Sequence, residues 1–219
     1  MNEIYRFVTG PLAWASFLVF IVGSIVRIAH MIYLVRTKEG FIFSYISLKY
    51  GLRSIINWLI PYGPVNMQRH PALATVTFIF HFCLIFTPIF LLSHVVLWDE
   101  AWNVSYWSMP DTVADVLTVV VILCCVFFWF RRRLQPEVRY LTSPSDYAIL
   151  ALVAAPFVTG FIAYHQFPGY AFFSILHVLS GEAMLVAIPF TRLSHMLFSP
   201  FTRAYTGSEF GAVRHVRDW

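Results

Sequence analysis

Residues 172–198 read FFSILHVLSGEAMLVAIPFTRLSHMLF, and the reading of this stretch decides the fold. Its 27 residues hold one acid, Glu182, and one base, Arg192, in a mainly apolar run. A helix crossing the hydrocarbon core of a bilayer needs about 20 such residues at 1.5 Å rise each, so the stretch reads as a membrane span. It also carries two histidines, His177 and His195, which are costly to place in lipid unless they face a partner, a cavity or a metal.

Four further apolar runs of spanning length precede it, at 11–35, 71–98, 112–130 and 144–164. The chain of 219 residues is 59% hydrophobic and 12% charged, with a mean hydropathy of +0.70. Soluble domains are roughly 45–50% apolar and about 25% charged, so a water-soluble globular protein is excluded. The length holds five or six spans with short loops and leaves no room for a large extramembrane catalytic module. The expectation is an all-α integral membrane protein, one membrane-embedded domain over residues 1–219. Its tail, 199–219, is read as a docking strap or a disordered end.

Three spans open with helix-start signals: His70-Pro71, Pro110-Asp111, and Ser143-Pro144-Ser145-Asp146, where Ser143 can cap and Asp146 suits the positive end of the dipole. The first run lacks a basic segment before it and a small-residue cleavage site after it, so it reads as a retained span and not a signal peptide. Between spans one and two, Lys49, Arg53 and Asn57 recur every four residues on an apolar stretch, the pattern of a helix lying in the membrane interface; a re-entrant segment is the competing reading.

Charge sets the expected orientation. Arg36, Lys38, Lys49, Arg53 and Arg69 fall between spans one and two, Arg131, Arg132, Arg133 and Arg139 follow span three, and Arg203, Arg214 and Arg217 lie in the tail. The opposite side holds Asp99, Glu100 and Asp111 with Arg6 as its one base, and Trp98, Trp102, Tyr106 and Trp107 suit an interfacial aromatic belt. The positive-inside rule then puts the amino terminus outside and the carboxyl terminus inside, with an odd number of spans. A net charge of +4 spread this way speaks of topology and gives no reason to expect nucleic acid. Cys83, Cys124 and Cys125 all sit in apolar runs and read as small packing residues.

On one continuous helix the 18 residues from His177 to His195 make five whole turns, placing both rings on one face about 27 Å apart. Span two carries His81 and His94 and runs antiparallel, so His94 and His177 would lie towards the outside and His81 and His195 towards the inside. Two such cross-helix pairs are what bis-imidazole ligation of two haems requires. The plainer reading is that the histidines pack or relay protons in a haem-free anchor or small transporter. Ideal geometry puts His81 and His94 about 220° apart, which Pro88 between them can alter by kinking the helix. His70, eleven residues before His81 and about 20° off its face, is an alternative inner ligand.

The sequence resembles the gamma subunit of respiratory nitrate reductase and its relatives. The stretches that carry the likeness are Gly23-Ser24-Ile25-Val26-Arg27; Arg132-Arg133-Leu134 with Pro136, Val138-Arg139, Thr142 and Ser145-Asp146; Leu176-His177-Val178-Leu179 with Gly181; and Pro189-Phe190-Thr191-Arg192-Leu193-Ser194-His195 with Pro200. Phe80-His81 matches in span two. The resemblance implies a five-span dihaem cytochrome b, with His81 and His195 ligating the inner haem iron and His94 and His177 the outer. The family's span-two ligands stand closer in sequence than His81 and His94. Arg27, three residues from His30, and Arg192, three from His195, are candidates to neutralise haem propionates; alternatively both snorkel to the inner surface.

The resemblance further implies an electron-transfer subunit of a respiratory oxidoreductase complex in a bacterial or archaeal cytoplasmic membrane, and not an enzyme by itself. Electrons would pass between an outer-side donor and a cytoplasmic-side iron-sulfur subunit. The family oxidises a quinol beside the outer haem, but the basic residue expected early in span three aligns with Ala114, next to Asp111 and Asp115. Tyr164, His165 and Glu182 are candidates for proton handling or menaquinone contact; alternatively each is a structural polar group, and the family does not have the acid at Glu182. The altered outer side fits the cytochrome b subunits of transmembrane redox complexes in sulfate reducers, whose donor is a periplasmic multihaem cytochrome c.

Overall fold

The computed structural model describes residues 2–218, and among them the chain is helical throughout, with no β-strand. Helix α1 (Asn2–Phe7) runs through a π-turn at Val8–Leu12 into α2 (Ala13–Lys38). Short helices α3 (Ile42–Tyr45), α4 (Leu48–Leu59) and α5 (Val65–Arg69) follow, then α6 (Pro71–Phe90) and α7 (Leu92–Trp102). The chain continues through α8 (Asp111–Leu134), α9 (Pro136–Leu141), α10 (Pro144–Tyr164), α11 (Tyr170–Ala187) and α12 (His195–Ser208). Five helical stretches are long and apolar enough to cross a membrane: Glu3–Lys38, Pro71–Phe90, Asp111–Leu134, Pro144–Tyr164 and Tyr170–Phe190. This is a multi-pass membrane protein.

The chain forms two compact units. One comprises the residues up to Thr9 and Val76–Met184. In it α8 packs on α10, and its core is made of small and β-branched side chains, with Val121 fully buried beside buried Ala114, Cys124, Cys125 and Val153. Helices in lipid gain little from hydrophobicity alone and associate where small residues let backbones approach. The three cysteines are free and buried, as packing residues should be. At the start of α10 the Ser143 backbone N–H donates to Asp146 at 2.8 Å within a complete capping box, as the sequence requires.

The second unit comprises Gly10–Thr75 and the residues from Leu185 onwards. Gly23 of α2 lies against Pro189 and Phe190 so closely that a Cβ would fall 2.9 Å from the proline ring. Helix α4 lies along α12, where Gly51 meets Ala204 and Gly207 meets Ser54. Ser208 fastens the pair by accepting from the Ser47 backbone N–H at 3.0 Å. The tail is therefore a packed strap and not a disordered end. The Lys49–Arg53–Asn57 stretch does form a helix, and its 12 residues are too few to cross a membrane.

The continuous fifth span expected over 172–198 is corrected. Helix α11 ends at Ala187, a 3-10 turn covers Ile188–Phe190, Thr191 is extended, and a second 3-10 turn, Arg192–Ser194, leads into α12. Pro189 supplies no backbone donor, and Thr191 starts the chain afresh: its Oγ1 donates to the Ala187 carbonyl at 2.8 Å and accepts from the Leu193 N–H at 3.2 Å. His177 and His195 thus belong to different helices, and the five-turn spacing between them does not apply. Span two, expected over 71–98, is likewise broken, at Leu91.

Candidate functional site

Helix α6 stops at Phe90 because Leu91 takes an extended conformation (φ −70°, ψ 129°), three residues after Pro88 removes a backbone donor from the helix. In a membrane such a break persists only where the released carbonyls find other donors. Here the Pro88 carbonyl accepts from His94 Nδ1, the Ile89 carbonyl from the Tyr106 hydroxyl and the Phe90 carbonyl from the Met109 N–H, each at 2.8 Å. Breaking the helix also resets its phase, so the ideal-helix angle between His81 and His94 no longer describes where His94 points.

His94 faces His177 of α11, with ring centroids 5.9 Å apart and planes inclined by 25°. The His177 Nδ1 donates to the Pro156 carbonyl of α10 at 2.8 Å, and Gly160, one turn later, leaves room for the ring: a Cβ there would fall 2.8 Å from Nδ1. A carbonyl can only accept, so in each neutral ring Nδ1 carries the proton and Nε2 presents a lone pair. This is how iron-binding histidines are held, with the second nitrogen fixed by a backbone acceptor.

Two neutral imidazoles held side by side in this way are a donor pair that could hold a metal-bearing cofactor. Among the described residues no group of three or more His, Cys, Asp or Glu is arranged to hold a metal ion. A haem asks for less, since its porphyrin supplies four of the iron's ligands and the chain only two.

The other two histidines show the same fixing. His81 Nδ1 donates to the Thr77 carbonyl at 2.8 Å, and its half-buried ring meets Phe80 edge-on at 5.1 Å. His195 is exposed at the start of α12, with Nδ1 donating to the Arg192 carbonyl at 2.9 Å. They lie in separate units. His70 ends α5 and is exposed.

A protein of Nitratidesulfovibrio vulgaris (Hildenborough) is 35% identical over 218 residues, an alignment covering 96% of this chain and 95% of the relative. The two belong to one family. No protein-family model matches this family member, so its likeness to the nitrate reductase gamma subunit rests on the motifs alone.

Arg27 is exposed on α2 with its guanidinium 5.6 Å from the centre of the Phe198 ring, while His30 stacks beside Tyr33 at 6.5 Å. Arg192 is exposed in the 3-10 turn before His195. At the far end of α10, His165 Nε2 meets Asp115 at 3.1 Å, and Tyr164 lies beside Asp111, so both candidates sit against carboxylates at the start of α8. Glu182 is buried, and neither of its carboxyl oxygens has a hydrogen-bond partner among the described residues. Sequence reasoning missed Pro156 and Gly160, the carbonyl and the gap that receive His177. Their trace in the sequence is a proline and a glycine one turn apart in an apolar helix, which says nothing of the helix they receive.

Proposed function

We propose that the chain is a dihaem cytochrome b membrane subunit that carries electrons across a bacterial or archaeal cytoplasmic membrane. The reading rests above all on His94 and His177, two facing rings with both Nδ1 protons committed to backbone carbonyls. His94 with His177 would hold one haem and His81 with His195 the other, and Arg27 and Arg192 would neutralise propionates. Bound there, two b haems supply one-electron carriage whose potentials follow from ligand type, burial and hydrogen bonding. The chain's share is to fix four imidazole tautomers, exclude water with apolar spans and keep the rings from turning.

Its partners, on this reading, are a cytoplasmic-side iron-sulfur subunit and an outer-side donor, either a quinol or a periplasmic multihaem cytochrome c. His165 with Asp115 and Tyr164 with Asp111 are polar pairs that would take a proton from a quinol beside the outer end of α8. The test is a dithionite-reduced minus oxidised spectrum with a pyridine haemochrome assay on detergent-purified protein. A b-type alpha band with two haems per chain supports the reading; protein purified under cofactor-retaining conditions with no Soret band defeats it. Quinone-analogue titration that leaves the outer haem's potential unmoved removes the quinol from the scheme.

A further inference from the structure

The electron-transfer reading gives no task to Glu182. This acid sits inside a span, on the continuous helix α11, five residues after His177. At 1.5 Å and 100° per residue it lies about 7.5 Å further along the axis and about 140° round from the histidine, near the His94–His177 pair but on another face of the helix. It is 7% exposed, and neither carboxyl oxygen has a hydrogen-bond partner among the described residues. Burial acts on the carboxyl, with no charged neighbour among the described residues to oppose it.

The titratable groups on the other helices of this compact unit have commitments of their own. His81, His94 and His177 donate to the Thr77, Pro88 and Pro156 carbonyls. Asp146 is held in the capping box that opens α10. His165 with Asp115 and Tyr164 with Asp111 lie where α10 ends beside the start of α8, and Asp99 and Glu100 are exposed towards the end of α7. Cys83, Cys124 and Cys125 are free thiols.

A second buried group is left over in the same unit: Thr87 of α6, 4% exposed, whose Oγ1 has no partner among the described residues. A threonine inside a helix ordinarily returns its hydroxyl to the carbonyl four residues back, as Thr159 does to Ala155 at 2.6 Å. Successive spans alternate in direction, so spans two and five run oppositely. Thr87, seven residues before His94, therefore falls on the same side of the histidine pair as Glu182, five residues after His177. Between them the two side chains mark a polar level inside an apolar bundle.

An acid inside a membrane is costly, and it persists where it pairs with a cation or carries a proton. Resting on the electron-transfer reading, we propose that Glu182 is the proton-loading site of the His94–His177 centre: its carboxylate takes one proton from water as that centre takes one electron from the outer-side donor. The only bond that forms is the O–H bond on Glu182, and it breaks again, returning the proton to water, when the electron leaves. In a low-dielectric interior a unit change of charge is felt at a second site about 10 Å away, and salt screens it little, so the added electron favours the neutral acid. The Thr87 hydroxyl, able both to donate and to accept, stands at the same level.

The test uses the full chain, purified in detergent with its haems, and measures the midpoint potentials of both b-type components in steps across the neutral pH range. The component lost in His177→Ala is expected to fall by up to about 59 mV per pH unit as the pH rises, the value for one proton per electron, while the other component holds steady. Glu182→Gln is expected to flatten that slope and Glu182→Asp to keep it. Reduced-minus-oxidised infrared spectra are expected to show the carbonyl stretch of a newly protonated carboxylic acid, shifted in heavy water and missing from Glu182→Gln. A pH-independent potential in the unaltered chain, or an undiminished slope in Glu182→Gln, overturns the proposal and leaves the two-haem reading standing. Protein without any b-type component defeats both. If Glu182→Gln does not assemble, the infrared band of Glu182→Asp decides: a displaced band supports the assignment, and an unmoved one overturns it.

Discussion

Gly160 stands against the ring of His177 with no space for a side chain between them: a Cβ would come within 2.8 Å of Nδ1 and 2.9 Å of Cε1. The backbone of α10 is therefore one wall of the His177 site, and the ring's direction is set by α10 as much as by the helix that carries it. Gly160→Ala should displace the ring, break its bond to the Pro156 carbonyl and remove one of two b-type spectral components while helical content stays unchanged. An unaltered spectrum would show that His177 does not serve as a ligand in this orientation.

His177→Ala and His195→Ala should each abolish a different component in a potentiometric titration of the reduced-minus-oxidised spectrum. Under a haem-free packing role both substitutions would be mild, and no such components would exist to be lost.

Tyr106→Phe takes away the hydroxyl that satisfies the Ile89 carbonyl at the α6–α7 break. One such bond contributes about 1 kcal/mol net, more where no water can replace it. The variant should unfold a few degrees lower and shift the potential of the component assigned to His94, with the component assigned to His195 unmoved.

Thr191→Ala removes the hydroxyl that both closes α11 and starts the turn leading to His195. Loss of such a cap costs ~1 kcal/mol. The potential or line shape of the His195 component should change while the His94–His177 component is preserved, a selectivity that two titrations on one sample would read directly.

Gly207→Val puts a branched side chain where Ser54 and the Tyr50 carbonyl already lie. It should separate α12 from α4 and expose the strap, seen as rapid proteolysis after Arg203 or Arg214 in detergent, with haem content retained.

The spans were legible because long apolar runs carry their own evidence: their length alone exceeds what a soluble core helix needs. The start of α10 was legible for a local reason, since Ser143 and Asp146 cap each other within one turn. What hydropathy could not show is where an apolar run stops being one helix. Pro88 kinks α6 only to prepare the break at Leu91, and Pro189 with Thr191 ends a span that stays apolar on both sides. Angles computed across either break, between His81 and His94 or His177 and His195, assumed a continuity the backbone does not have. The partnership of His177 with Pro156 and Gly160 joins residues 17 to 21 positions apart on two helices, and no periodicity within one helix encodes it. The tail was left between two readings for a similar reason: its partner, α4, is about 150 residues away.

The break at Leu91 ties one side chain to the integrity of the span. His94 is the donor that seals the Pro88 carbonyl, so replacing this residue removes an imidazole and reopens a backbone group inside an apolar helix at the same time. A loss of stability at position 94 is therefore built into the backbone, whatever the free ring nitrogen serves.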